Sequence, residues 1–132
     1  MALDPQRDDV SAIVTRMTDG IGADVALECS GYAIHAALSS VRRGGRVVVV
    51  GSTDYPASVN PQDLVLTEKR LIGSVSHIYD EDSAHALDLL TAQAIDVKTM
   101  VSDRIPLTDV IDGGFKRLEH DARAIKILVS PS

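Results

Sequence analysis

Apolar and polar positions change period several times along this 132-residue chain, and each change marks an element. Between Asp8 and Asp19 the residues Val10, Ile13, Val14 and Met17 recur at helical spacing, with Asp8 or Asp9 as cap and Gly20 just past the end, which predicts an amphipathic helix. DVALE, residues 24–28, reads as a short strand and CSG as the turn after it. Over Ala33 to Val41 a helical face returns, formed by Ile34, Leu38 and Val41. Arg42 and Arg43 suit its negative C-terminal end, and Gly44 and Gly45 are expected to stop it. The strand Arg46 to Val50 then carries consecutive valines from Val47 onward. A β-branched run without polar alternation suits a parallel strand covered on both faces, which needs a neighbour on each side and helices above and below.

Beyond it, Asn60 and Pro61 read as a cap followed by the preferred first helical residue, opening a short helix. Leu71 to Ser76, LIGSVS, is a third strand, and Asp82 to Ala94 a longer helix expected to bury Ala86, Leu87, Leu90 and Ala94. Val101 to Leu107 is extended and interrupted by Pro106, Thr108 caps a helix through Leu118, and Ala124 to Val129 forms a last strand. Strand and helix alternate for most of the length, the pattern of an α/β fold with a doubly wound parallel sheet and crossover helices. Gly113 and Gly114 conflict with their helix, at about 1 kcal/mol each against alanine, so that helix is expected to be frayed or packed tightly on a neighbour.

Composition narrows the picture. An aromatic content of only 3% within 45% hydrophobic residues makes the core aliphatic, and the length suits one core. A net charge of -6 with dispersed basic residues argues against nucleic acid or an anionic membrane surface as partner. The opening MALDPQRDD is acidic where a signal peptide is basic, and no apolar run reaches the roughly 20 residues of a membrane helix, so a cytoplasmic protein is expected. A single cysteine, Cys29, excludes an intrachain disulfide and a four-thiolate zinc site.

In open α/β sheets ligands bind beyond the C-terminal ends of the strands. Three such places follow: Cys29 to Gly31, Gly51 to Thr53, and Ser74 to Ser76. Each has small residues that let a flat ligand approach the backbone, with N–H, carbonyl and hydroxyl groups to bond it; the same residues also serve simply as turn formers.

Five words then occur in order: TDGIGADVALECSG (18–31), RRGGRVVVVG (42–51), NPQDLVLTEKRLIGS (60–74), DRIPLTD (103–109) and KILVSP (126–131). Together they cover nearly the whole chain, which resembles the C-terminal portion of the zinc-containing medium-chain alcohol and polyol dehydrogenases, the superfamily of sorbitol, threonine and butanediol dehydrogenases. The resemblance implies that residues 1–132 are the C-terminal half of a Rossmann-type domain binding NAD or NADP. It implies that Cys29, Ser30 and Gly31, and Val50, Gly51 and Ser52, line the adenosine and nicotinamide-ribose path. Ser74, Val75 and Ser76 match the segment whose backbone holds the nicotinamide carboxamide, and Lys126 matches a position that often directs a basic side chain to the pyrophosphate; a solvated lysine is the alternative. Dimerisation through the outer strand, LIGSVS, is implied as well.

The chain departs from the family in what it lacks. No G-x-G-x-x-G turn is present to hold a pyrophosphate, nor the following residue that separates NAD from NADP. Cys29, His35, His77, His85 and His120 show no ligand spacing, so no catalytic residue or metal ligand is assigned, and zinc is expected only in a full-length family protein. DVALE, RVVVV and LIGSVS correspond to strands four to six of the order 3-2-1-4-5-6, with ALD at Ala2 to Asp4 at most the tail of strand three. The expectation is therefore a fragment whose sheet continues outside the chain. As such it is inactive alone in oxidising a small-molecule alcohol by hydride transfer to nicotinamide. Two other readings stand beside it: a non-catalytic dimerisation module, and a remnant of another nucleotide-binding Rossmann-like protein such as a methyltransferase.

Overall fold

The computed structural model describes residues 1–76 and 78–131. They form two compact units, Met1–Ser76 and a second whose described part is 78–131. The first begins with helix α1, Val10–Met17. Asp9 caps it, its carboxylate accepting the Ala12 N–H at 3.0 Å, and Gly20 closes it at φ 86°, a left-handed conformation that suits glycine. Strand β1 (Ala23–Glu28), helix α2 (Ile34–Ser40), strand β2 (Val41–Val49), helix α3 (Pro61–Thr67) and strand β3 (Arg70–Gly73) follow. The sheet order is β1-β2-β3 and both pairings are parallel. The valine strand takes the centre, as its pattern requires: Val48 lies between Leu27 and Ile72, and Val47 is 0% exposed.

The boundary between α2 and β2 differs from expectation. The helix ends at Ser40, and Val41 through Gly45 belong to the strand. Ala23 faces Val41 while Val25 faces Arg46, so β2 accommodates extra residues as a bulge. Gly44 takes φ 68° there, and a Cβ on Gly45 would lie 2.9 Å from the Arg42 carbonyl oxygen. Arg42 pairs with Asp24 of the adjacent strand at 2.6 Å. The glycines thus serve a bulge instead of a helix stop. The cation at the end of α2 is Lys69, whose Nζ donates to the Leu38 carbonyl at 2.7 Å.

Helix α3 opens as read, with Asn60 Oδ1 accepting the Gln62 N–H at 3.0 Å and Pro61 in the first turn. Strand β3 is shorter than expected: Ser74 to Ser76 have left it. Among the described residues β1 pairs only with β2. An apolar groove of about 600 Å³ lies against β1, lined by Val10, Val14, Val25, Leu27, Ala36 and Ala37 among others.

In the second unit, helix α4 (Tyr79–Thr91) carries Asp80, Glu81 and Asp82 in its first turn, where acidic groups complement the helix dipole. Ala86, Leu87, Leu90 and Ala94, expected to be buried, are exposed, Leu87 at 64%. No described element covers that face. Helix α5 (Val97–Met100), capped by Asp96, leads into strand β4 (Val101–Pro106), which pairs in parallel with strand β5 (Lys126–Ser130). Pro106 stands at the last paired position, opposite Ser130, where its missing N–H disturbs the ladder least.

The helix expected from Thr108 to Leu118 is instead a 3-10 turn (Leu107–Asp109), a π-helical stretch (Val110–Lys116) and helix α6 (Arg117–His120). Thr108 lies inside the first turn and makes no side-chain cap. Of the two outcomes expected for the glycine pair, tight packing is the one found. A Cβ on Gly113 would meet Asp109 Oδ2 at 2.1 Å, and Gly114 is buried with its Cβ position 3.4 Å from Ile105 Cδ1. Arg117 of α6 pairs with Asp103 of β4, and Ser102 Oγ accepts the Ile125 N–H at 2.7 Å. Among the described residues no helix is long and apolar enough to cross a membrane.

Candidate functional site at the strand ends

The C-terminal ends of β1, β2 and β3 lead into segments 29–31, 50–53 and 74–76. The ladder extends beyond the strands to tie them. The Glu28 carbonyl accepts N–H groups from Val50 at 2.8 Å and Gly51 at 2.9 Å, and the Val49 carbonyl accepts that of Ser74 at 2.9 Å.

The first two segments interlock through their glycines. A Cβ on Gly51 would lie 2.2 Å from the Gly31 nitrogen, 2.5 Å from the Ser30 nitrogen and 2.6 Å from the Cys29 carbonyl carbon. Gly31, at φ 81°, would place a Cβ 2.9 Å from Thr53 Cγ2 and 3.1 Å from the Ser52 carbonyl carbon. The Tyr32 and Tyr55 rings add a tilted contact with centroids 6.0 Å apart. Between the second and third segments lies a cleft of about 430 Å³, lined by Val49 to Ser52 and Gly73 to Ser76. Val50 is 51% and Val75 93% exposed at its rim. Ser76 takes φ 54°, the left-handed region.

Glu28, the last residue of β1, is 3% exposed. Its carboxylate accepts N–H groups from Ser30 at 3.0 Å, Gly31 at 2.9 and 2.8 Å and Ala33 at 3.2 Å, and the Ser30 hydroxyl donates to it as well. The Ser30 hydroxyl first, then the amides of Gly31, Ala33 and Ser30, hold this carboxyl below the usual glutamate range, although burial acts the other way. The chemistry of the first turn changes accordingly. The Ser30 and Gly31 amides, expected to bond a ligand, are already engaged, so the turn offers carbonyl groups and the exposed Cys29 thiol instead.

A lowered carboxyl contributes stability that is fully present above the unfolded-state pKa and is lost as pH falls through the lowered folded value. Stability of the chain should therefore decline in acid, and Glu28→Gln should show less of that decline while being less stable at neutral pH. Urea midpoints across the acid range measure both effects, and parallel pH curves for the two proteins would contradict this assignment.

Among the described residues no group of three or more His, Cys, Asp or Glu side chains is placed to hold a metal ion. His77 lies outside the described residues. The donors among the described residues do not gather into a zinc site.

The pattern of the zinc-binding dehydrogenases matches residues 1–92. The chain belongs to this family. It is 31% identical, over 98% of its length, to (R,R)-butanediol dehydrogenase of Neisseria gonorrhoeae, of which it spans 37%. Its fold superposes on the crystal structure of 2R,3R-butanediol dehydrogenase from Bacillus subtilis with a TM-score of 0.89 at 30% identity, covering 98% of this chain and 38% of that one. A zinc-binding dehydrogenase from Sinorhizobium meliloti, solved bound to NADP, matches with a TM-score of 0.79 at 28% identity over 98% of this chain and 38% of that one. The chain thus corresponds to the C-terminal portion of zinc-type alcohol and polyol dehydrogenases and spans well under half their length.

Within this zinc-binding dehydrogenase portion the structure brings together Cys29, Ser30, Gly31, Val50, Gly51 and Ser52, and places Ser74, Val75 and Ser76 on the same cleft as Val50 to Ser52. Lys126 belongs to the second unit, where it opens β5 opposite Val101 and is exposed. Glu28 is the residue that sequence reasoning passed over, taken there only as the end of a strand. Its signal was an acidic residue closing an apolar strand directly before small residues with free amides.

Proposed function

We propose that this chain forms the second half of the nicotinamide-cofactor domain of an alcohol or polyol dehydrogenase, with residues 29–31, 50–52 and 74–76 lining one side of the cofactor. The observation that carries this reading is the glycine interlock at the strand ends. Gly51 and Gly31 leave no room for side chains, and the cleft beside them opens onto backbone and small polar groups that suit a flat, largely neutral ligand portion. NAD or NADP bound there supplies a hydride acceptor for a secondary alcohol. The residues present hold and orient that group, and the alcohol-activating machinery belongs to the rest of such an enzyme.

The test is an amide NMR titration of the 132-residue chain with NADH, using S-adenosylmethionine as the competing ligand type. Shifts at Gly31, Gly51, Ser52 and Ser74 with NADH alone are expected. Shifts only with S-adenosylmethionine, or none at these residues, would overturn the reading. Zinc-dependent alcohol oxidation by the purified chain would overturn the assignment of the catalytic machinery elsewhere.

A second reading, self-association, is favoured by β3, an edge strand whose Leu71 and Ile72 are exposed. Pairing of two β3 edges about a two-fold axis would join two copies. Sedimentation at micromolar concentration should give a dimer that Ile72→Lys dissociates, and a monomeric wild-type chain removes this reading.

A further inference from the structure

The two turns at the ends of β1 and β2 meet through backbone at Gly51, and the buried Glu28 carboxylate bonds the same amides. Gly51 packs on the nitrogens of Ser30 and Gly31. The same two amides donate to the Glu28 carboxylate, together with Ala33 N–H and the Ser30 hydroxyl. Peptide planes at Ser30 and Gly31 are therefore held by a charge-assisted hydrogen-bond cluster and also met by a glycine with no clearance. If the planes rotate, the surface on which Gly51 rests moves with them. The Glu28 carbonyl independently accepts Val50 and Gly51 N–H, so one residue bonds both turns, one through its side chain and one through its backbone.

We infer that Glu28 is a positioning residue of the cofactor half-site: its carboxylate sets the orientation of the Cys29 to Gly31 turn and, through the Gly51 contact, the register of Val50 to Ser52 against it. This rests on the reading of these turns as cofactor-facing. The role requires the ionised carboxylate. A glutamine at this position keeps the length but offers one acceptor oxygen, and its NH₂ turns donors toward donors. An aspartate is one methylene shorter and draws its oxygens back from Ala33. The groups that bond the carboxylate are three amides and a hydroxyl, none of them titratable in the acid range, so its protonation is read without interference from a bonded partner.

The experiment uses the full chain labelled for amide NMR, as wild type, Glu28→Gln and Ser30→Ala. In the wild type, the amide signals of Ser30, Gly31 and Gly51 are expected to titrate with one common midpoint below the ordinary glutamate range, and Glu28→Gln should abolish that transition at all of them. Hydrogen exchange at Gly31, Val50 and Gly51 should accelerate roughly tenfold or more in Glu28→Gln, with amides of β4 and β5 unaffected. Acceleration at Gly31 with Gly51 unchanged, or a midpoint at Gly31 not shared by Gly51, would overturn the inference. Should Glu28→Gln not fold, Ser30→Ala, which removes one donor, is expected to raise the shared midpoint at Gly31 and Gly51 together, and movement at Gly31 alone would overturn it. NADH separates the two readings. Wild-type shifts that disappear in Glu28→Gln support both, and shifts retained in Glu28→Gln overturn the positioning role and leave the cofactor site standing. No wild-type shifts overturn the cofactor site, and the titration and exchange results still decide whether Glu28 sets the turns.

Discussion

Gly51→Ala should lose about 3 kcal/mol or more, because overpacking against backbone cannot be relieved by a side-chain rotation. The added methyl would sit 2.2 Å from the Gly31 nitrogen and 2.5 Å from the Ser30 nitrogen, so one of the two turns must move bodily. Either movement breaks hydrogen bonds that hold the strand ends, the Val50 and Gly51 N–H groups to the Glu28 carbonyl or the amides to its carboxylate. Gly73→Ala is the matched control, since its Cβ position has nothing within 4 Å. It should leave the urea midpoint nearly unchanged. Equal midpoints for the two variants would mean that the interlock does not exist in solution.

The valines of β2 should separate by position in the same assay. Val47 is 0% exposed and Val50, just past the strand, 51%. Val47→Ala removes two methyl groups from the centre of a sheet paired on both sides and should cost about 2 kcal/mol, the lost transfer energy plus an imperfectly closed cavity. Val48→Ala and Val49→Ala, at half-buried sites, should cost less, and Val50→Ala within about 0.5 kcal/mol of zero. A flat series would contradict the central placement of this strand. A graded one also tells where the sheet stops, between Val49 and Val50.

The same residues explain what was legible beforehand. Val47 to Val49 pointed to a parallel strand because a short β-branched run between glycines favours one, and Asp9, Gly20, Asn60 and Pro61 marked helix ends because each supplies a local interaction that needs no tertiary partner. Where long-range contacts decide, local pattern failed. Gly44 and Gly45 resembled a helix stop, yet Val41 to Gly45 join a bulged strand whose first pairing is Val41 with Ala23 of β1. Leu87 and Leu90 had the spacing of a buried face, but burial depends on a neighbour that spacing cannot supply. Thr108 had the chemistry of a cap, while Gly113 and Gly114 allowed the backbone to widen into a π-helical turn against Ile105. In the site, the three strand ends followed from topology alone. The engagement of the first turn by Glu28 did not, because an acidic residue at a strand end does not reveal whether it folds back or faces water.

The uncovered groove on β1 also has a calorimetric consequence. Unfolding a typical domain raises the heat capacity by about 12–15 cal/mol/K per residue, chiefly by wetting apolar surface. Here the buried apolar side chains among the described residues are Val41, Val47 and Ile105, while Val25 and Leu27 of β1 are already wet. A smaller heat-capacity change on unfolding than this, and with it a flatter stability curve, is the expected result, and scanning calorimetry measures it. Covering β1 would remove Val10, Val14, Val25 and Leu27 from water together, and would add a negative heat-capacity change to that of folding.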